Sequence, residues 1–322
     1  MELTTRTEIP SENTSFYSRV MLERAVPLFV HLSYAQIRDI PANSGTDTIK
    51  FRKYGALLAQ TTPLTEGVTP AGKKLSTTDI TAQVLYYGDY ITLTDKVSLE
   101  TLDPVLTEAA DALGEQVGDS LDQIFRDIIL AGTTVQYAST ATARTEITAA
   151  MKLTRDEIKE AVRTLKRNNA KPIMSRIDPN DSYNTIPLNR AFVGIIHVDT
   201  TNDLEEVVGF VPVEKYPNKS DIMPGEVGSC AGVRFVETTN AKKYAAGGLS
   251  GADVYGTVIF GRNAMGITRI SGTSLINIVE PLGSAGANDP LHQRATSGWK
   301  LTFIGKILQQ PWIIRVEHGA TP

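Results

Sequence analysis

Apolar and polar positions alternate over Thr48–Leu57, where Ile49 and Phe51 interleave with Lys50 and Arg52. A period of two predicts a strand. Ile80–Thr94 (ITAQVLYYGDYITLT) is rich in Thr, Val, Tyr and Ile, which suit a pleated surface, and predicts a second strand. Between them lies TTPLTEGVTPAGKKLST, broken by Pro63, Gly67, Pro70 and Gly72. A connection this long inside a compact domain is uncommon, and such loops are generally functional or disordered. The expectation is two paired strands that hold a long loop out from the body as an arm.

The period then changes. Across Asp103–Gly132, Leu106, Leu113, Val117, Leu121, Ile124 and Ile128 fall on one face at 100° per residue. Glu108, Asp111, Glu115, Asp119 and Asp122 fall within a sector of roughly 80° on the opposite face. Asp103 suits the N-cap, Pro104 the first helical position and Gly132 the C-terminal stop. Such a helix runs roughly 40 Å at 1.5 Å per residue, long enough to act as a spine. Gly114 and Gly118 lie four apart on one flank, which fits either close packing of another element or a slight bend.

Thr154–Asn168 predicts a second helix. Its opening Thr154-Arg155-Asp156-Glu157 makes a capping box, and Ile158, Ala161, Val162 and Leu165 form its apolar stripe. A short helix is expected over Tyr17–Phe29, after a polar N-terminal stretch. Further strands are expected at Lys171–Met174, Ala191–His197, Val233–Glu237, Tyr255–Phe260, Leu301–Leu308 and Trp312–Glu317. Helices and strands mix without regular βαβ alternation, so the class is α+β.

Composition narrows the chemistry. The chain has 322 residues, 41% of them hydrophobic, enough for a sizeable core in two domains or one elaborated domain. Its net charge is −4, whereas proteins that coat nucleic acid directly are usually basic. That charge is unevenly laid out. Residues 47–78 carry Lys50, Arg52, Lys53, Lys73 and Lys74 and are net +3, while residues 103–127 are net −6. A basic arm and an acidic helix face are complementary, and such pairs set register and steering. The alternative is two solvated surfaces that never meet.

Candidate catalytic groups are sparse. The single cysteine, Cys230, excludes an internal disulfide and a cysteine-cluster zinc site, and reads as a small core residue. Of four histidines, His197 forms an H-x-D with Asp199 at a strand end, a pattern too common to assign a reaction. The run Gly247-Gly248-Leu249-Ser250-Gly251 lacks the ending of a phosphate-binding loop. Phe51-Arg52-Lys53-Tyr54 could stack nucleobases, but a solvated strand face is the plainer reading. No cofactor or metal is implied. The N-terminus has no signal-peptide pattern and no apolar run reaches the ~20 residues of a membrane span, so a soluble cytoplasmic product is expected.

The order of polar arm, long hairpin, spine helix and mixed α+β body resembles the major capsid proteins of tailed bacteriophages, most closely those of N-four-like podophages. The resemblance is carried by TTPLTEGVTPAGKKLS (61–76), YGDYITLTD (87–95), LGEQ (113–116), RTLKRNNAKPI (163–173), GFVPVEKY (209–216), PGEVG (224–228), VIFGRNAMG (258–266), DPLHQRATSGWK (289–300) and WIIRVE (312–317). It implies the HK-type capsid fold. On that fold, residues 1–46 form an N-terminal arm with a first short helix. Residues 47–95 form the β-hairpin called the E-loop, and 96–189 a peripheral domain with its spine helix at 104–131. Residues 190–269 form the axial domain, and 270–322 return to the peripheral one.

The function so implied is a non-enzymatic subunit that self-assembles into hexamers and pentamers of an icosahedral shell. The shell encloses double-stranded DNA without reading its sequence, is assembled in the host cytoplasm, and has scaffold, portal and decoration proteins as further candidate partners. Contacts between copies are expected from Lys50, Arg52, Lys53, Lys73 and Lys74 of the E-loop to Glu108, Asp111, Glu115, Asp119 and Asp122 of the spine. Lys73 and Lys74 have no identifiable asparagine partner for a covalent crosslink, and the short N-terminal stretch argues against a built-in scaffold. An encapsulin-like compartment shares the expected fold. A hydrolase using His197 and Asp199 is the reading from another class.

Overall fold

The computed structural model describes residues 29–41, 47–55, 57, 59–64, 66–67, 69, 71–100, 105–177, 185–216, 222–270, 275–284 and 289–321. The strands are β1 (Gln36–Ile40), β2 (Thr48–Tyr54), β3 (Thr77–Gln83), β4 (Leu85–Thr94), β5 (Val135–Tyr137), β6 (Ile173–Ile177), β7 (Thr185–His197) and β8 (Val211–Pro212). They continue with β9 (Glu226–Cys230), β10 (Val233–Thr238), β11 (Lys242–Tyr244), β12 (Val254–Phe260), β13 (Met265–Ile270), β14 (Ile276–Glu280), β15 (Arg294–Ile307) and β16 (Ile313–His318). The helices are α1 (Asp95–Glu100), α2 (Val105–Leu130), α3 (Arg155–Arg167) and α4 (Thr201–Glu205). The helix expected at 17–29, apart from its last residue, and the cap expected at Asp103-Pro104 lie outside the described residues.

Two sheets organise the body. A nine-stranded mixed sheet runs β5-β16-β12-β7-β10-β9-β8, with β11 on β12 and β6 on β7. A five-stranded sheet runs β1-β13-β15-β14, with β4 also paired to β15. Neither follows chain order. The last strand, β16, lies between β5 and β12, while β13, which ends at residue 270, belongs to the other sheet.

Alternation along the strands sends side chains to two cores. Phe192, Ile196, Ile259 and Ile314 pack with Ile158, Ala161, Val162 and Leu165 of α3. Val193, Ile195, Val258, Phe260 and Ile313 face the other way, toward α2 and toward Trp299, Leu301 and Phe303 of β15. Helix α3 forms where its sequence places it. Thr154 Oγ1 accepts from the Glu157 amide, and Glu157 Oε2 accepts from the Thr154 amide at 2.7 Å. Glu157 also takes the Ser139 amide at 2.6 Å, which fixes the preceding loop. Leu165 is fully buried, so Leu165→Ala would cost about 2–5 kcal/mol.

Helix α2 is continuous for 26 residues, but its buried face is not the fixed stripe that a helical wheel gives. Leu113, Val117, Leu121, Phe125 and Ile129 are buried, and so are Ala110, Gly114, Gly118 and Asp122. Both series step by four residues, and each step advances about 40° around the axis. The buried strip therefore winds round the helix. By the C-terminal half it has left Ile124 and Ile128, which are only half-buried, and reached Phe125, Ile129 and the acidic sector. Burial of both glycines fits the close-packing reading of that flank.

Candidate assembly surfaces

The arm begins as predicted and then departs from prediction. β2 and β3 pair antiparallel from Thr48↔Gln83 to Tyr54↔Thr77. The Val84 amide donates to the Asp47 carbonyl at 3.0 Å and closes the base, and the Gly55 amide donates to the Ser76 carbonyl at 2.8 Å near the tip. The strand expected over Ile80–Thr94 is in fact two strands. Its second part, β4, leaves the hairpin and pairs with β15 from Arg294↔Thr94 to Phe303↔Leu85. The change occurs at Val84, which is buried, so the apolar pattern runs on while the hydrogen-bond partner switches.

Among the described residues, packing of the hairpin is confined to its paired strands. Phe51 and Ala82 are buried, and the Arg38 guanidinium lies 5.9 Å from the Phe51 ring centre. Beyond Gly55 the described loop residues are exposed, Leu57, Leu64 and Leu75 among them. An isolated two-stranded hairpin is marginal in water, so this arm gains from being covered. Lys50, Arg52, Lys53, Lys73 and Lys74 are all exposed. Arg52 donates to both carboxylate oxygens of Asp79 across the hairpin, at 3.0 and 3.3 Å. That bond and charge raise the arginine pKa and lower the Asp79 carboxyl. Arg52 is thus already engaged within its own arm, and alternation turns Lys53 to the opposite face from Lys50.

The acidic face divides along its length. Glu108, Glu115 and Asp119 are exposed and Asp111 is half-buried, as an accessible stripe requires. Asp119 accepts from Asn240 Nδ2 at 2.8 Å. Asp122 corrects the expectation: its accessibility is 0%, so it cannot meet a neighbouring copy. The segment before β1 crosses α2 at this level. Asp122 Oδ1 accepts from the His31 amide at 2.8 Å, and Oδ2 sits 2.6 Å from His31 Nδ1, with His31 itself 1% exposed. The winding of the buried strip is what carries Asp122 out of the solvent-facing sector.

One concave surface was not anticipated. Tyr86 and Tyr90 stand 64% and 69% exposed on the outer face of the five-stranded sheet. The trench between them is lined by Gly88, Gly298, Ile278 and Lys300. A Cβ on Gly88 would meet the Trp299 carbonyl at 2.7 Å, and one on Gly298 would meet Tyr90 Cβ at 2.7 Å. Glycine inside a strand marks such close approach, so Gly88 within YYGDY was the available signal. On the inner face Gln116 of α2 donates to Asp89 at 2.6 Å and accepts from Trp299 Nε1 at 3.1 Å, which locks helix to sheet.

His197 and Asp199 do come together, as part of a clasp. His197 Nδ1 accepts the Asp199 amide at 3.1 Å, which leaves the proton of the neutral ring on Nε2. A ring in that tautomer cannot take a proton at Nε2. The Asp199 carboxylate accepts from the Tyr255 hydroxyl at 2.8 Å and lies 3.6 Å from Lys243 Nζ. Burial lowers the His197 pKa, and the Tyr255 bond lowers that of Asp199. Cys230 is buried, and desolvation pushes its thiol pKa up. Among the described residues no cluster of three or more His, Cys, Asp or Glu could hold a metal, and no helix is long and apolar enough to cross a membrane.

Against this geometry, known proteins give a consistent picture. A family profile described as phage capsid protein matches residues 76–289, more than half of the chain. A search of curated proteins gives no match. Similar solved structures include the capsid of Ralstonia phage GP4, with TM-score 0.70, 12% identity and coverage of 89% of this chain and 87% of that one. The cyanophage Pam1 capsid gives 0.63, 16%, 92% and 92%. The head of Helicobacter pylori bacteriophage KHP40 gives 0.63, 12%, 90% and 88%. At such identities the likeness is one of fold, and the fold is the mixed α+β architecture of phage capsid subunits, as the resemblance implied. The chain belongs to the phage capsid protein family, and it is a structural, major capsid protein.

Proposed function

We propose that this chain builds a closed icosahedral shell of hexamers and pentamers around a double-stranded DNA genome, without catalysis. In this reading the hairpin arm of each copy grips the α2 helix of the next. The observation that carries it is the arm itself: a hairpin whose described loop residues beyond Gly55 are all exposed, with exposed leucines and Lys50, Lys53, Lys73 and Lys74. Exposed Glu108 and Glu115 supply the opposite charge on a rigid helix. Such a contact is heterologous, so it propagates from copy to copy, and closure depends on the angle it sets. Many moderate contacts then give a stable particle through multivalency.

The domain reading follows the sheets. The five-stranded sheet with α2 corresponds to a peripheral domain. The nine-stranded sheet with α3 corresponds to an axial domain around the capsomer axes. Its bounds differ from those expected, because β5, α3, β6 and β16, placed in the peripheral domain by sequence, join this sheet, and β13 joins the other. Scaffold, portal and decoration proteins remain candidate partners, with the tyrosine trench an accessible face for one of them. Placement among N-four-like podophages rests on the ordered motifs alone. Family membership favours a genome-enclosing shell over an enzyme-loaded compartment. The test is Glu108→Lys with Glu115→Lys. The variant is expected to keep its fold by circular dichroism and to lose particles in electron micrographs. Normal particles from it would remove the arm-on-helix contact.

A further inference from the structure

A cationic face lies away from both surfaces discussed so far. On α3, Lys159, Arg163 and Lys166 fall within roughly a 60° sector at 100° per residue, with Arg167 beside them, and all four are exposed. The opposite side of the helix is its buried apolar stripe. Together with Val162 and Ala231 these four cations line a concave space of about 500 Å³ against the turn between β9 and β10. Exposed Lys171 and Arg262 lie beyond the helix end, where the Arg262 amide donates to the Lys171 carbonyl at 2.7 Å. The opposing groups on the helix are two exposed carboxylates, Asp156, which meets Lys159 Nζ at 3.3 Å, and Glu160. This concentration stands out in a chain whose net charge is −4.

We propose that this α3 face is a sequence-independent contact for the phosphate backbone of duplex DNA. Three properties favour that ligand. The cations follow one helix face and open on a concavity, so a linear polyanion can track them. The space has no aromatic ring on which an unstacked base could lie, which argues against single strands. It also has no Asn or Gln to read adenine, and its Lys and Arg can meet any phosphate whatever the sequence, so charge dominates the contact. Lys166 and Arg167 also complement the helix dipole, but Lys159 and Arg163 lie too far from the C-terminus for that role. The proposal rests on the reading that the shell encloses DNA, and it gives that enclosure a surface on each copy.

The test measures binding rather than assembly, so its failure is distinct from failure of the capsid reading. Full-length protein is titrated onto a short mixed-sequence duplex over a range of salt, and log affinity is plotted against log salt. Substituting Lys159, Arg163, Lys166 and Arg167 by Gln should lower low-salt affinity by at least about tenfold. It should also flatten the slope by about 3–4, because each phosphate neutralised on duplex DNA contributes roughly 0.9 to it. Lys159→Gln with Arg163→Gln alone, which leaves the helix end untouched, should remove about half of that slope. An arm variant with Lys50, Lys53, Lys73 and Lys74 changed to Gln should bind DNA as wild type does. The proposal is overturned if wild type does not bind the duplex or if the α3 variants bind it unchanged. It is equally overturned if those variants lose shells while keeping DNA affinity, since the face would then contact an acidic surface of another copy.

Discussion

Asp122→Ala separates an internal anchor from an assembly contact. In the wild type this carboxylate accepts two hydrogen bonds from one residue, the His31 amide at 2.8 Å and the ring at Nδ1, 2.6 Å away. Both residues are buried. Truncation leaves an amide and an imidazole without partners in a site that water does not reach. A buried group left unsatisfied costs about 1–3 kcal/mol. With two such groups, the expected loss is about 2–6 kcal/mol of monomer stability. The segment that would come loose carries Leu32 in the core and Tyr34, whose ring sits 5.6 Å from that of Phe260. Urea unfolding of unassembled subunits, followed by tryptophan fluorescence, reads the loss as a lower midpoint. Limited proteolysis should cut ahead of β1 sooner. Asp122→Asn keeps one acceptor for the amide and should fall between the two. Glu108→Ala, on the same acidic face but exposed, should lower the midpoint far less. An Asp122→Ala subunit as stable as wild type would refute the winding of the buried strip and the anchoring of the N-terminal segment.

Other expectations are independent of that one. Glu317 is fully buried, accepts from Arg144 at 2.6 and 2.8 Å and pairs in charge with Arg315 Nε 2.8 Å away, so Glu317→Ala should cost about 3–5 kcal/mol, measured by the same unfolding assay. Gly305→Ala drives a Cβ into the Phe125 ring, an overpacking that should destabilise by about 1–3 kcal/mol and lower the melting temperature. His318 donates from Nδ1 to the Gly319 carbonyl and accepts from Thr257 at Nε2, and burial holds its pKa below the ordinary 6.5. The unfolded chain therefore takes up a proton that the folded chain resists, and stability should fall as pH drops below about 6.5. Melting curves of His318→Gln should show a shallower loss over that range, with the remainder due in part to His197, whose pKa is lowered in the same sense.

Local rules in the sequence reached the elements that are decided locally. Thr154 and Glu157 are close enough in sequence to announce their own capping box, and α3 starts there. The apolar run at Val254–Phe260 is a central strand whose burial on both faces leaves a strong mark. What was missed depends on distant partners. Nothing in ITAQVLYYGDYITLT shows that its first half pairs with β2 and its second half with β15, because buried Val84 continues the pattern across the break. β1 pairs in parallel with β13, and its Gln36, Arg38 and Asp39 lack the apolar content of a core strand. Asp122 was misplaced because a helical wheel assumes one buried face along the whole helix. Its partner, His31, is 91 residues away. Glu108 and Glu115, nearer the N-terminus where the strip has not yet turned, are exposed, and Asp111 between them is half-buried.

Whether the arm of one copy meets the helix of another is the central question for assembly. Particles assembled from equal amounts of light and heavy-isotope protein can be treated with a zero-length amine–carboxylate crosslinker and analysed by mass spectrometry. The expected result is links from Lys50, Lys53, Lys73 or Lys74 to Glu108 or Glu115, in mixed light–heavy peptide pairs that prove the contact runs between copies. Links confined to pairs of one isotope, or arm lysines joined only to surfaces other than α2, would contradict it.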